Sequence, residues 1–225
     1  MTYERNENVV IKMSRKETDL MEIGVLGTTE DLARADLYGL LAALFQAPPD
    51  MALLDKICNS VKSDASFPQN SDTPLEKAWL TVVDAAKDHS ANSWRDEFET
   101  HFSGVGRPHI FLNGSFYIAG HLNEKPLVEI RRALHELGLE SAATTSETED
   151  HIASLCEVMR YLIVGEDVEI SNLTNQRIFF NDHIRNWYDD LCDAIENNPQ
   201  MFSYHSVANL TREFLSIEGQ GFDML

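Results

Sequence analysis

The sequence predicts an all-α protein, a compact irregular bundle of about eight or more helices. Three observations lead there. Apolar residues recur at spacings of three and four along most of the 225-residue chain, no run alternates with period two and brings a partner strand, and Pro, Gly and short polar residues interrupt the periodic stretches at helix-length intervals. With no tandem repeat and no low-complexity linker, one helical domain over residues 29–218 is the economical organisation. Residues 1–28 are expected to form a flexible arm, and 219–225 a short tail.

The elements follow in order. Leu37, Leu40, Leu41, Leu44 and Phe45 mark the buried face of a first helix, with Thr28 and Thr29 as caps and Pro48-Pro49 as its stop. A second helix begins at Pro49 or Asp50 and turns Leu54, Ile57, Cys58 and Val61 inward. The polar stretch KSDASFPQNSDTP reads as a loop. Pro74 then suits a first helical turn, and Leu75, Ala78, Trp79, Val82, Val83 and Ala86 share one face. Trp94, Phe98, His101 and Phe102 indicate a fourth helix ending near Gly104 and Gly106.

Residues 103–125 carry no clean helical stripe, and their aromatics, Phe111, Phe116 and Tyr117, predict an ordered, aromatic-lined loop. Pro126 opens a helix bearing Leu127, Ile130, Leu134 and Leu137, closed by Gly138. Ser146 or Thr148 is expected to cap the next, with Ile152, Leu155, Cys156, Met159 and Leu162 inside and Gly165 at its end. The last two helices carry Phe180, Ile184, Trp187, Leu191 and Ile195, then Phe202, Val207, Leu210, Phe214 and Ile217, separated by Pro199.

Composition limits function. Eighteen basic against 37 acidic residues give a formal charge of -19, which repels nucleic acid and anionic lipid and favours a basic partner or plain solubility. No run approaches the roughly 20 apolar residues of a membrane span, so stable membrane insertion is not expected. The first 20 residues do not read as a secretory signal, so cytoplasmic retention is the expectation. Cys58, Cys156 and Cys192 form no CxxC pair and fall in apolar stripes, as reduced, packed thiols do.

The chemistry of the tripeptide Asp-His-Ile, present as Asp150-His151-Ile152 and again as Asp182-His183-Ile184, needs testing. Four residues beyond each His stand Leu155 and Trp187, so neither helix face offers a second metal ligand, and the Glu-x-x-His pairs of a di-iron bundle are missing. No GxSxG, HExxH, phosphate-binding lysine loop or dinucleotide fingerprint occurs, and nothing anchors Ser115, His109 and His121 as a triad. Arg131-Arg132 is a lone basic doublet without the surrounding field that nucleic acid needs. The expectation is therefore no catalytic residue, no metal and no cofactor. The two pairs are left with structural or recognition work, Asp150-His151 as the better candidate for contact with a peptide or another protein and His183 as a fastener of the core.

EFETHF at 97–102, then Pro108, Gly114-Ser115-Phe116-Tyr117, EDHIASLCEVMRYL, FFNDHIRNW and FSYHSVANLTREFL together resemble, in order and spacing over residues 30–217, the TorD/DmsD-like redox enzyme maturation chaperones. That resemblance implies a TorD-like all-helical cytoplasmic chaperone, not an enzyme. It implies as client the catalytic subunit of a molybdenum oxidoreductase, such as a formate, dimethyl sulfoxide or trimethylamine N-oxide enzyme, often bound through its twin-arginine signal peptide until the cofactor is inserted. The family's Ser-x-Tyr signature matches Ser115 and Tyr117, with Phe116 between them where a smaller residue is usual. Its Asp-His signature matches Asp150 and His151, and its His-x-x-x-Trp signature matches His183, preceded by Asp182, and Trp187. These positions are implied to form or support the client surface. The loop's usual second proline is absent from HIFLN. Family members occur as monomers and as domain-swapped dimers. Two other readings stand beside this one: an assembly chaperone for a nonexported oxidoreductase, and a helical enzyme whose polar groups converge in a pocket.

Overall fold

Short polar residues decide where many of the helices begin. The computed structural model describes residues 12–13, 28–63, 73–103, 107–140 and 147–225. Thr28 and Asp31 exchange hydrogen bonds at the start of α1 (Thr29–Gln46), and the Asp50 carboxylate accepts the Leu53 N–H at the start of α2 (Met51–Ser63). A full capping box between Thr73 and Glu76 opens α3 (Pro74–Asp88), and Ser90 caps α4 (Ala91–His101). Each such cap is worth about 1 kcal/mol. There follow α5 (Gly114–Ala119), α6 (Lys125–Glu136), α7 (Ile152–Val164), α8 (Leu173–His183), α9 (Tyr188–Glu196) and α10 (Ser203–Asp223). Strands β1 (Lys12–Met13) and β2 (Leu139–Glu140) pair antiparallel, with Lys12 opposite Glu140 and Met13 opposite Leu139.

The fold class is all-α, as the periodicity predicts, but the described residues hold ten helices and four boundaries differ from expectation. Residues 114–119, expected as loop, form α5, a single helical turn and a half too short to show a stripe. The stretch from Phe180 to Ile195 is two helices: α8 ends at His183, and a turn through Ile184 and Trp187 leads to α9. Ile184 and Trp187 are both buried, so the turn keeps the apolar spacing of a helix while leaving helical geometry. The start of α7 is capped by His151, while the Thr148 hydroxyl donates to Asp150 and accepts from the Asn113 amide. At the other end, α10 runs past residue 218 to Asp223, since Gly219 and Phe222 are buried. The expected loop at 64–72, the glycines at 104 and 106, Ser146, and most of the expected arm lie outside the described residues, and within that arm Lys12–Met13 is extended.

The chain forms two compact units, each of two stretches: residues 1–42 with 113–184, and residues 43–112 with 185–225. In the first unit α5 packs on α6, α6 on β2 and α8, and α7 on α8. Arg34 of α1 donates to the Gln176 carbonyl at 3.1 Å, and the Gln176 amide donates to the Leu162 carbonyl at 2.9 Å, so one buried glutamine links α1, α8 and α7. Gly39 lets the Arg160 side chain lie against α1; a Cβ there would stand 3.2 Å from Arg160 Cδ.

In the second unit α10 is the central element, packed on α3, α9 and α4. Phe45, Trp94, Phe98 and Phe102 surround Tyr204 with ring centroids 5.0 to 6.3 Å from it, a cluster that buries several of the chain's largest apolar side chains. The Tyr204 hydroxyl donates to the Leu44 carbonyl at 2.8 Å, so the phenol is satisfied inside the core. Arg212 of α10 pairs with Asp189, Asp193 and Glu196 of α9. Cys156 and Cys192 are buried free thiols whose burial pushes their pKa up, and Cys58 is half-buried and also free. Among the described residues no helix is long and apolar enough to cross a membrane.

Candidate functional site

Asp150 precedes α7 and closes the start of α5, and this carboxylate organises the first unit's candidate site. Its backbone carbonyl accepts the Gly114 N–H at 2.9 Å, while Asn113 and His151 form an isolated antiparallel bridge. One carboxylate oxygen accepts the Ser115 N–H at 3.0 Å and, in a very short bond, the Ser115 hydroxyl. The other accepts the Thr148 hydroxyl at 2.5 Å and the Asn113 amide at 3.2 Å. A negative group also sits well against the free N–H groups at a helix start. Asp150 and Ser115 are fully buried. Burial pushes the carboxyl's pKa up, but the hydrogen bonds from Ser115, Thr148 and Asn113 outweigh it and hold the pKa below the usual value.

His151 is buried beside it as the cap of α7. Its Nδ1 accepts the Ala153 N–H at 3.2 Å, which puts the ring proton on Nε2 and keeps the imidazole neutral. Burial pushes its pKa down to about 4, against the pull of Glu147 and Asp150. The neutral form is the one that the positive end of a helix favours.

This lock fixes α5. Phe116 and Tyr117, half-buried, meet edge to face at 5.3 Å, and the helix stops at Gly120, whose φ of 78° suits a residue without Cβ. Ile118, Leu122 and Val128 follow on α5, the next turn and α6, exposed by 47%, 41% and 63%. Exposed or half-buried carboxylates of the same unit include Glu124, Glu129, Glu136, Glu140 and Asp182. The predicted Ser115, Phe116, Tyr117, Asp150 and His151 are thus brought together.

Asp182 and His183 differ from the first pair. They form the last turn of α8, with Asp182 exposed and His183 buried against Phe179 at 4.9 Å between ring centroids. Burial pushes the His183 pKa down, Asp182 and Glu129 pull it up, and Arg132 lowers it again. Trp187 is buried in the second unit, where its carbonyl accepts the first bond of α9, from the Leu191 N–H.

One buried acid was not anticipated. Glu97 of α4 accepts the N–H groups of Phe202, Ser203 and Tyr204 at 3.0, 3.0 and 2.9 Å, serving as the cap that α10 lacks locally. Its position between Trp94 and Phe98, on the apolar face of α4, was the legible signal: a charge inside a buried stripe needs a partner. No group of three or more metal-binding side chains is present among the described residues.

The family model described as nitrate reductase delta subunit matches residues 68–193, more than half of the chain. The chain belongs to that family. It is a TorD/DmsD-like redox enzyme maturation chaperone, a class that assists a molybdoenzyme subunit and is not catalytic. The fold agrees: the crystal structure of a protein assigned as a redox enzyme maturation protein, from Archaeoglobus fulgidus, superposes with a TM-score of 0.55 at 17% identity, covering 89% of this chain and 99% of that one. No curated protein matches. In this maturation chaperone Ser115 and Asp150 meet in one buried hydrogen-bonded lock, with His151 buried beside it.

Proposed function

We propose that this chaperone binds the twin-arginine signal peptide of a molybdenum oxidoreductase's catalytic subunit, in the cytoplasm, and holds the subunit back from export until its cofactor is inserted. The observation that carries the reading is α5: a short aromatic helix fixed from beneath by Asp150, followed by exposed Ile118, Leu122 and Val128 within an acidic unit. An apolar signal segment covers such side chains, and its arginines find carboxylates in the same unit. Asp150 and His151, being buried, act as props of this surface, and Phe116, Tyr117 and the exposed residues after them make the contact.

The affinity such a surface supports is modest, which suits release to the export machinery. At physiological salt the screening length is about 8 Å, so the net charge of -19 guides the encounter more than it holds the complex. Titration of the protein with twin-arginine peptides tests this: binding that weakens at least tenfold when both arginines become glutamine supports it, and unchanged binding removes the claim of signal recognition. The family description names a nitrate reductase subunit, and a second reading has the same surface recognise a segment of a nonexported client. Co-purification followed by N-terminal sequencing of the captured subunit separates the two.

A further inference from the structure

Among the described residues the first unit holds one two-stranded sheet, the ladder between β1 and β2. It is two residues long on each side and its strands are far apart in sequence, so it gains at most about 1 kcal/mol per hydrogen bond while carrying the entropy of closing a long loop. The two strands are anchored unequally. β2 leaves the end of α6 through Gly138, at φ 67°, and packs on α6, whereas β1 lies on β2. What β1 adds is backbone pairing, in a register that sets residue 12, a lysine, opposite residue 140, a glutamate.

In sequence, Lys12, Arg15 and Lys16 stand within five residues in an otherwise acidic chain, and Leu20, Met21, Ile23, Val25 and Leu26 come after them. Basic residues ahead of apolar ones are also the order of chemistry in a twin-arginine signal, although here Glu17, Asp19 and Glu22 interrupt that order. We propose that the β2 edge is a docking strand for the extended basic part of the client peptide, and that Lys12–Met13 of the same chain occupies it in the free protein as an internal competitor. This rests on the signal-peptide reading above and adds to it a place for the peptide backbone, by strand addition, and a brake on binding. A site masked by its own chain for most of the time shows an affinity reduced by the fraction left open. An exposed strand edge is thereby also kept from pairing with other chains.

The test uses the full chain carrying Lys12→Pro with Met13→Pro, which removes both β1 N–H groups without touching β2; Lys12→Glu, setting like charges opposite each other, is the second variant. Two quantities are read: hydrogen exchange of the Leu139 and Glu140 amides, and the dissociation constant of a fluorescent twin-arginine peptide. The expected result is loss of protection at the β2 amide that faces β1, its return on saturation with peptide, and peptide binding about five- to tenfold tighter in both variants. Equal affinity in wild type and variants, or β2 amides left unprotected by bound peptide, overturns the proposal and leaves the signal-peptide reading standing. Absence of peptide binding by every form overturns both.

Discussion

Replacing Asp150 by alanine tests the lock at its centre. The substitution strands two donors in a fully buried site, the Ser115 N–H and the Ser115 hydroxyl, and takes the acceptor from the half-buried Thr148 hydroxyl, while Asn113 and Thr148 keep their bond to each other at 2.9 Å. At about 1–3 kcal/mol for each orphaned buried group, the loss comes to roughly 4 kcal/mol, a large part of the roughly 5–15 kcal/mol that holds a typical domain folded. Ser115→Ala removes one donor and leaves the Ser115 N–H on Asp150, so it should cost only about 1–2 kcal/mol. Because the two residues share one interaction, the double variant should be little worse than Asp150→Ala alone, with a coupling of about 1–2 kcal/mol. Urea unfolding followed by tryptophan fluorescence measures all four proteins. With a slope near 2 kcal/mol per molar, Asp150→Ala should move the midpoint down by about 2 M. A midpoint within about 0.3 M of wild type, or additive single effects, would refute the idea that this carboxylate holds α5 in place.

Three further outcomes follow from the same geometry. Acidification should destabilise the protein in two stages: the unfolded chain takes up a proton on His151 below about pH 6.5 that the folded chain refuses until about pH 4, so up to about 3 kcal/mol drains away between those values, and the Asp150 contribution is lost at still lower pH as its depressed folded pKa is crossed. His183 and His101, both pushed down by burial, act in the same direction, so His151→Asn, which keeps a capping side chain, should flatten the Tm-versus-pH profile between pH 7 and 5 without abolishing its slope. Glu97→Ala, which orphans three N–H groups at the start of α10, should lower stability by about 3–5 kcal/mol, and Glu97→Gln by clearly less; equal thermal shifts for the two would show that the carboxylate is not the cap. Gly165→Ala would bring a Cβ to 2.3 Å from Ser171 Oγ and 2.7 Å from the Tyr161 carbonyl, so a loss of about 2 kcal/mol is expected in thermal unfolding, and an unchanged Tm would mean that the 165–171 turn gives way freely.

The repeated tripeptide shows most clearly where sequence and tertiary structure part. Asp-His-Ile begins α7 in one place and ends α8 in the other, so the same three residues put a histidine at the N-terminus of one helix and in the last turn of another. Spacing could exclude a metal site at both, because that depends only on what lies four residues away. The capping residues ahead of Asp150 marked a helix start at the first pair, whereas the unbroken stripe from Phe180 to Ile195 hid the helix end at the second. Local chemistry, by contrast, was legible: the cap at Thr28, the helix starts at Asp50 and Pro74, the stops at Pro48 and Gly138, and the inward stripes of α6 and α7 all involve neighbours within one helical turn, while in α1 and α3 the expected Leu37, Leu40, Leu75 and Trp79 are only half-buried.

What the sequence by itself determined is the all-α class, many of the helix boundaries and the family, since each is written in contacts or motifs of short range. Only the tertiary structure decided that residues 114–119 coil into a helix, that the Phe180–Ile195 stripe breaks at a buried turn, that Glu97 caps α10 across more than a hundred residues, and that Lys12–Met13 lies along β2. In each of these the deciding partner is remote in the chain, and backbone groups left unpaired in a core are costly enough that the fold takes the donor or acceptor it needs from wherever packing brings one.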